Sequence, residues 1–131
     1  MAEGFGQYLE EVGPNRIKPI KQTLQNQVDP EDTMIMIMEA LGGDLEIIPN
    51  IGNYYTFVYN ARTPLLKYDQ HPLIACTDVQ RWGFRGFNFH WEDWRNYNWN
   101  EVAGQLYVVR PNEITDLRQI AYAYYKVVAP L

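Results

Sequence analysis

A chain of 131 residues with 47% hydrophobic side chains has material for one core and is too apolar to stay unfolded. The formal net charge of −5, with 11 basic residues scattered along the chain, argues against a protein whose main task is gripping phosphate backbones. The single Cys76 excludes an intrachain disulfide framework and a metal site made only of cysteines.

Cys76 lies in an apolar run, which predicts a small buried hydrophobe rather than a reactive thiol. No apolar stretch approaches the 18 or so residues of a membrane span. Residues 1–6 lack both the basic start and the apolar core of a signal peptide, so the expectation is a soluble protein, intracellular at synthesis. Ten Tyr, five Phe and four Trp, concentrated between residues 54 and 125, are more than a domain this size can hide. Some of them are expected on a contact surface.

Residues 1–28 read as an N-terminal arm, broken by Gly4, Gly6, Gly13, Pro14 and Pro19. Residues 8–12 fit one helical turn, and residues 20–28 fit a short helix after Pro19. Ile20, Leu24 and Val28 share one face of that helix, a stripe narrow enough to need something to lean on. Such an arm is expected to be mobile in the free protein and to order against a partner.

Asp29 and Pro30 are suited to cap and open the next helix, Glu31 and Asp32 favour its positive end, and Gly42-Gly43 stops it. Between them Met34-Ile35-Met36-Ile37-Met38 is apolar all round and therefore asks for cover on every side. The alternation of Met and Ile also fits a strand. Residues 1–43 thus read as arm and apolar helix, ahead of a β-rich domain over residues 44–131.

In that domain residues 45–48 form a short strand ending at Pro49, and residues 54–61 and 72–79 two longer ones. Over residues 83–91, Phe84, Gly86, Asn88 and His90 fall on one parity and Arg85, Phe87, Phe89 and Trp91 on the other. Phe87, Phe89 and Trp91 are expected to face the core. Residues 92–103 read as a helix or long ordered loop and residues 105–110 as a fifth strand. A short helix runs to about residue 119, and residues 121–128 close the chain as helix or strand. Five short strands within about 70 residues predict an α+β fold built on a closed SH3-like or OB-like β-barrel with flanking short helices.

Three clusters bear on chemistry. His90-Trp91-Glu92-Asp93 brings a His and two carboxylates together, but neighbours on a strand point to opposite faces and cannot converge on one ion. A structural His beside a helix cap is the plainer reading. Asp69 could orient His71 as a carboxylate does in a triad, yet no nucleophile motif accompanies it, and an Asx-type turn before a strand accounts for the segment. Arg81-Trp82-Gly83-Phe84-Arg85-Gly86-Phe87 interleaves cations with aromatics, as protein-contact anchors and single-strand stacking platforms both do. No catalytic residue, cofactor site or metal site is assigned.

Tyr68-Asp69-Gln70-His71-Pro72-Leu73-Ile74, followed by Gly83-Phe84-Arg85-Gly86-Phe87-Asn88-Phe89-His90-Trp91, resembles small proteins of contractile-tailed bacteriophages of the cyanophage type. Those proteins pair a YDxxPL segment with a GFxGxNxHW/Y segment, and the similarity covers roughly residues 54–110. The resemblance implies a virion or assembly component, placed in the particle and in the host cytoplasm during assembly. The expectation is a non-enzymatic structural protein, present in many copies and docking onto other phage structural proteins without a membrane. Its contacts are expected at Tyr8, Leu9, Ile20, Met34, Met36, Met38, Arg81, Trp82 and Arg85. The alternative is a nucleic-acid-binding accessory protein acting at packaged DNA; a small metal-dependent nuclease is a third reading.

Overall fold

The computed structural model describes residues 13–62 and 67–127, the last two by backbone alone. Its first ordered turn is built by Asn15, whose side-chain oxygen accepts from the backbone N–H groups of Ile17 and Lys18, both at 2.8 Å. A 3₁₀ turn over Lys18–Ile20 leads into α1, Lys21–Gln25. This helix ends too early for the expected stripe: Leu24 is buried and Ile20 half-buried, but Val28 stands 97% exposed. Ile17 takes the place of Val28 in the core.

Helix α2 spans Pro30–Leu41 and follows its sequence signals closely. The Asp29 side chain accepts from the Glu31 N–H at 2.9 Å, and the Thr33 hydroxyl donates to the Asp29 carbonyl. Met34, Ile37 and Leu41, three and four residues apart, face inward. Ile35 stays about half exposed, so the all-round cover expected for this helix is not needed.

Eight strands follow among the described residues: β1 Leu45–Glu46, β2 Tyr54–Tyr59, β3 Lys67–Asp69, β4 Leu73–Val79, β5 Gly83–Asn88, β6 Asp93–Asn98, β7 Val102–Val109 and β8 Tyr125–Val127. Helix α3, Ile114–Arg118, lies between β7 and β8. Six strands form one antiparallel sheet in the order β1-β7-β2-β4-β5-β6, and β3 pairs with β8 in a separate ribbon. The fold is α+β as expected, but the sheet has six strands rather than five and is open, with β1 and β6 at its edges.

The unexpected strand is β6, in the segment read as helix or loop. Asp93, Asn96 and Asn98 disfavour strands intrinsically; pairing decides here, because every residue of β6 lies opposite one of β5. An edge position tolerates the polar side chains.

The sheet separates two apolar clusters. On one face Leu73 and Val109 pack with Ile17, Leu24, Met34, Ile37, Leu41, Leu117, Ile120 and Tyr122. On the other, Tyr55, Phe57, Tyr59, Phe84 and Tyr97 form a largely edge-to-face aromatic core. The Tyr97 ring on β6 lies 5.3 Å from Phe57 and 5.0 Å from Tyr59, both on β2, although β4 and β5 separate these strands. The sheet is therefore strongly curled, and register shifts beside Thr56 and Cys76 supply local bends.

The parity expected for β5 is reversed. Phe84, Gly86 and Asn88 face the aromatic core, while Phe87 sits half-buried on the other face against Trp94. Gly86 is inward because a Cβ there would come within 2.6 Å of Ile74 Cδ1. Asn88 can be inward because the Tyr97 hydroxyl accepts from its amide at 2.9 Å. Phe89 lies beyond the strand, half-buried against Tyr54, and Trp91 is half-buried in the turn.

From Gly13 onward the arm is held by its own chain. The Arg16 guanidinium grips the fully buried Glu113 carboxylate through two N–H donors at 3.0 and 2.9 Å, and the backbone N–H groups of Arg16 and Arg110 donate to the same group. Asn15 and Lys21 bind Asp116. Residues 13–24 are thus tied to the rest of the chain, where a mobile arm was expected, and one core joins residues on both sides of position 43. Tyr8 and Leu9 lie outside the described residues.

Candidate functional site

Apart from the isolated Val28, the most exposed large apolar side chains among the described residues are Ile47, Ile51 and Ile48, at 75%, 64% and 63%, and these three cluster in sequence. They lie where the chain leaves the sheet after β1, at Pro49 and the turn that follows. Ile47 and Ile48 line a groove of about 320 Å³ together with Phe84, Trp99, Val102 and Leu106. Gly104, in the left-handed region at φ +81°, completes the lining without a side chain. The groove opens onto the aromatic core, since Phe84 and Leu106 belong to both.

Trp99 is fixed in this wall by its indole N–H, which donates to the carbonyls of Arg81 at 2.9 Å and Gln80 at 3.2 Å. Its backbone N–H donates to the Trp82 carbonyl. The β4–β5 turn that carries Arg81 and Trp82 therefore buttresses the groove. Both side chains are exposed.

The other expected contact residues scatter. Arg85 is exposed but lies on the opposite face of β5, alongside Phe87 and, across the pair, Trp94 and Asn96. Met34 is buried in the helix-side core and has no area to offer a partner; Met36, Met38 and Ile20 are half-buried against the same cluster. Ile47 and Ile48 were readable as a strand end, and only their exposure beyond Glu46 reveals them as surface. Trp99 had no signal beyond its composition.

Residues 68–74 and 83–91 meet in one buried network. Asp69 Oδ2 accepts from the Asn88 amide at 3.3 Å and from His90 Nδ1 at 3.1 Å. Asn88 Oδ1 in turn accepts from the backbone N–H groups of His90 and Trp91, holding the turn after β5. Asp69 orients His90; the lesser sequence reading, in which it would orient His71, is not formed, and no Asx-type turn engages its side chain. No helix follows His90, so the expected cap beside it is replaced by this turn. His90 Nε2 is buried with no hydrogen-bond partner among the described residues. The Asp69–His90 contact ties β3 to the β5–β6 turn. Among the described residues no three His, Cys, Asp or Glu side chains are placed to hold a metal ion, and Cys76 is buried.

His71 is also buried, and neither ring nitrogen has a partner among the described residues. Burial lowers its pKa to about 4, against an opposing attraction from Asp69. The unfolded chain takes up this proton near the ordinary value of 6.5 and the folded chain only near 4, so stability is full above 6.5 and is lost as pH falls through that window. Urea unfolding at pH 7 and pH 4.5 should show a loss of about 2–2.5 kcal/mol that a His71→Leu variant lacks. An equal acid loss in the variant would assign it to other groups.

Compared with protein-family models, with curated proteins and with solved structures, the chain matches none.

Proposed function

We propose that this chain is a non-catalytic docking protein of a phage particle, joined to other virion proteins through an apolar surface. The observation that carries the reading is the groove between Ile47, Ile48 and Trp99. Branched apolar side chains clustered in water beside a concave apolar wall mark contact sites more often than bare surface. The tight packing of Arg16, Glu113 and the aromatic core leaves a rigid platform for it.

In this reading the curled sheet is a small barrel of the SH3-like or OB-like kind, open between β1 and β6, with the groove at its mouth. Nucleic acid is the weaker fit. Arg85, Phe87 and Trp94 do share an outer face, but Glu92 pairs with Arg118 nearby, Asp93 adjoins Trp94, and the chain carries a net −5.

The test is incorporation. Mass spectrometry of purified particles should find the parent chain and should find an Ile47→Asp/Ile48→Asp variant at least about tenfold depleted. The variant itself should unfold within about 1 kcal/mol of the parent, because both side chains are exposed. Absence of the parent from particles, or normal incorporation of the folded variant, would overturn the proposal.

A further inference from the structure

Resting on the docking role proposed above, we infer that the groove takes a short extended segment of a different protein, anchored by one large apolar side chain and flanked by cations. Size comes first. A groove of about 320 Å³ accommodates one aromatic anchor, whereas a stable globular interface uses about 800 Å² and 20–30 residues on each side. Seven residues line the groove, too few to hold a second copy of the chain on this surface alone.

The backbone beside it points to an extended segment. After Glu46 the chain leaves β7, so residues 102–105 have no strand on that side among the described residues. A peptide laid there finds main-chain donors and acceptors next to the apolar wall. The added ladder must be short, because the β2–β7 register shifts between Ala103 and Tyr107 and Gly104 adopts φ +81°.

Charge selects the flanks. Glu46 and Glu101 directly precede the lining residues Ile47 and Val102. Glu46 accepts from the Tyr55 hydroxyl and the Asn50 amide, Glu101 from the Arg62 backbone N–H and the Asn98 amide, all neutral donors, and neither joins an ion pair among the described residues. Arg81 reaches the groove through its carbonyl, which holds the Trp99 indole. A second copy would bring the same two carboxylates and another net −5 against this surface, whereas Lys or Arg beside the anchor would complement it.

Two synthetic pentapeptides test the assignment by NMR titration of the labelled full-length chain: acetyl-Lys-Thr-Trp-Thr-Lys-amide and its counterpart with Glu at both ends. At about 20 mM salt the basic peptide should shift resonances of Ile47, Ile48, Val102 and Leu106 and bind about fivefold more tightly than the acidic one. The preference should close at about 0.5 M salt and in a Glu46→Gln/Glu101→Gln variant, and Ile48→Asp should abolish both shifts. Shifts confined to other surfaces, no binding, or equal or reversed preference would overturn the assignment. So would concentration-dependent self-association that broadens the groove resonances, since that places a second copy there. Failure here with Ile47→Asp/Ile48→Asp still excluded from particles would remove the occupant alone; normal incorporation of that variant would remove the docking role.

Discussion

Replacing Arg16 by Ala should destabilise the protein by about 3–5 kcal/mol, measured as a drop in the urea midpoint at unchanged slope. The reason lies in what is left behind. Glu113 is fully buried, and its two oxygens accept from the Arg16 guanidinium, the Arg16 backbone and the Arg110 backbone. Removing the guanidinium strands a carboxylate in a low-dielectric site with only main-chain donors. Arg16 also donates to the Val108 carbonyl at 3.0 Å, so the end of β7 loses a partner as well. A double variant, Arg16→Met with Glu113→Leu, removes both charges and should be markedly less damaged than Arg16→Ala. If the single variant lost under about 1 kcal/mol, the ion pair would not be what docks residues 13–17.

That docking shows where the sequence was legible and where it was not. Helix α2 could be read because its signals are local: Asp29 and Pro30 at one end, Gly42 at the other, and an i, i+3, i+4 spacing of Met34, Ile37 and Leu41 between. The Arg16–Glu113 pair spans 97 positions, and no local pattern announces it. Within the described part of the arm, Gly13, Pro14 and Pro19 marked irregular backbone, but counting Gly and Pro gave no hint of the contacts of residues 13–24, which fixed charges and Ile17 supply.

The parity of β5 failed for a related reason. Hydrophobicity favoured Phe87, Phe89 and Trp91 as the inner set, yet volume decides this face. Ile74 fills the space above Gly86, and the Tyr97 hydroxyl satisfies Asn88, so glycine and amide are the residues that fit. The groove beside Trp99 was half legible. Arg81 and Trp82 were singled out and do adjoin it, but its apolar wall is assembled from residues 47, 48, 84, 99, 102 and 106, which only the curl of the sheet brings together.

The same tight approach of β5 and β6 makes Gly83→Ala the second severe substitution. Gly83 lies opposite Asn98, and a Cβ added to it would fall 1.8 Å from the Tyr97 carbonyl oxygen, 2.8 Å from the Tyr97 carbonyl carbon and 2.9 Å from Asn98 Cα. All three are backbone atoms, so no side-chain rotation relieves the clash; the two strands must separate. Separation pulls the Tyr97 ring from Phe57 and Tyr59 and moves Trp99, whose N–H is bonded to the Trp82 carbonyl. The expected loss is at least about 3 kcal/mol, at the upper end for an added methyl group, accompanied by a weakened near-ultraviolet circular dichroism signal from the aromatic core. Gly43→Ala is the matched control: nothing lies within 4 Å of its added Cβ, and it should stay within about 0.5 kcal/mol of the parent. A Gly83→Ala variant within 1 kcal/mol of the parent, roughly the reach of an ordinary substitution, would mean that β5 and β6 are not paired at this point.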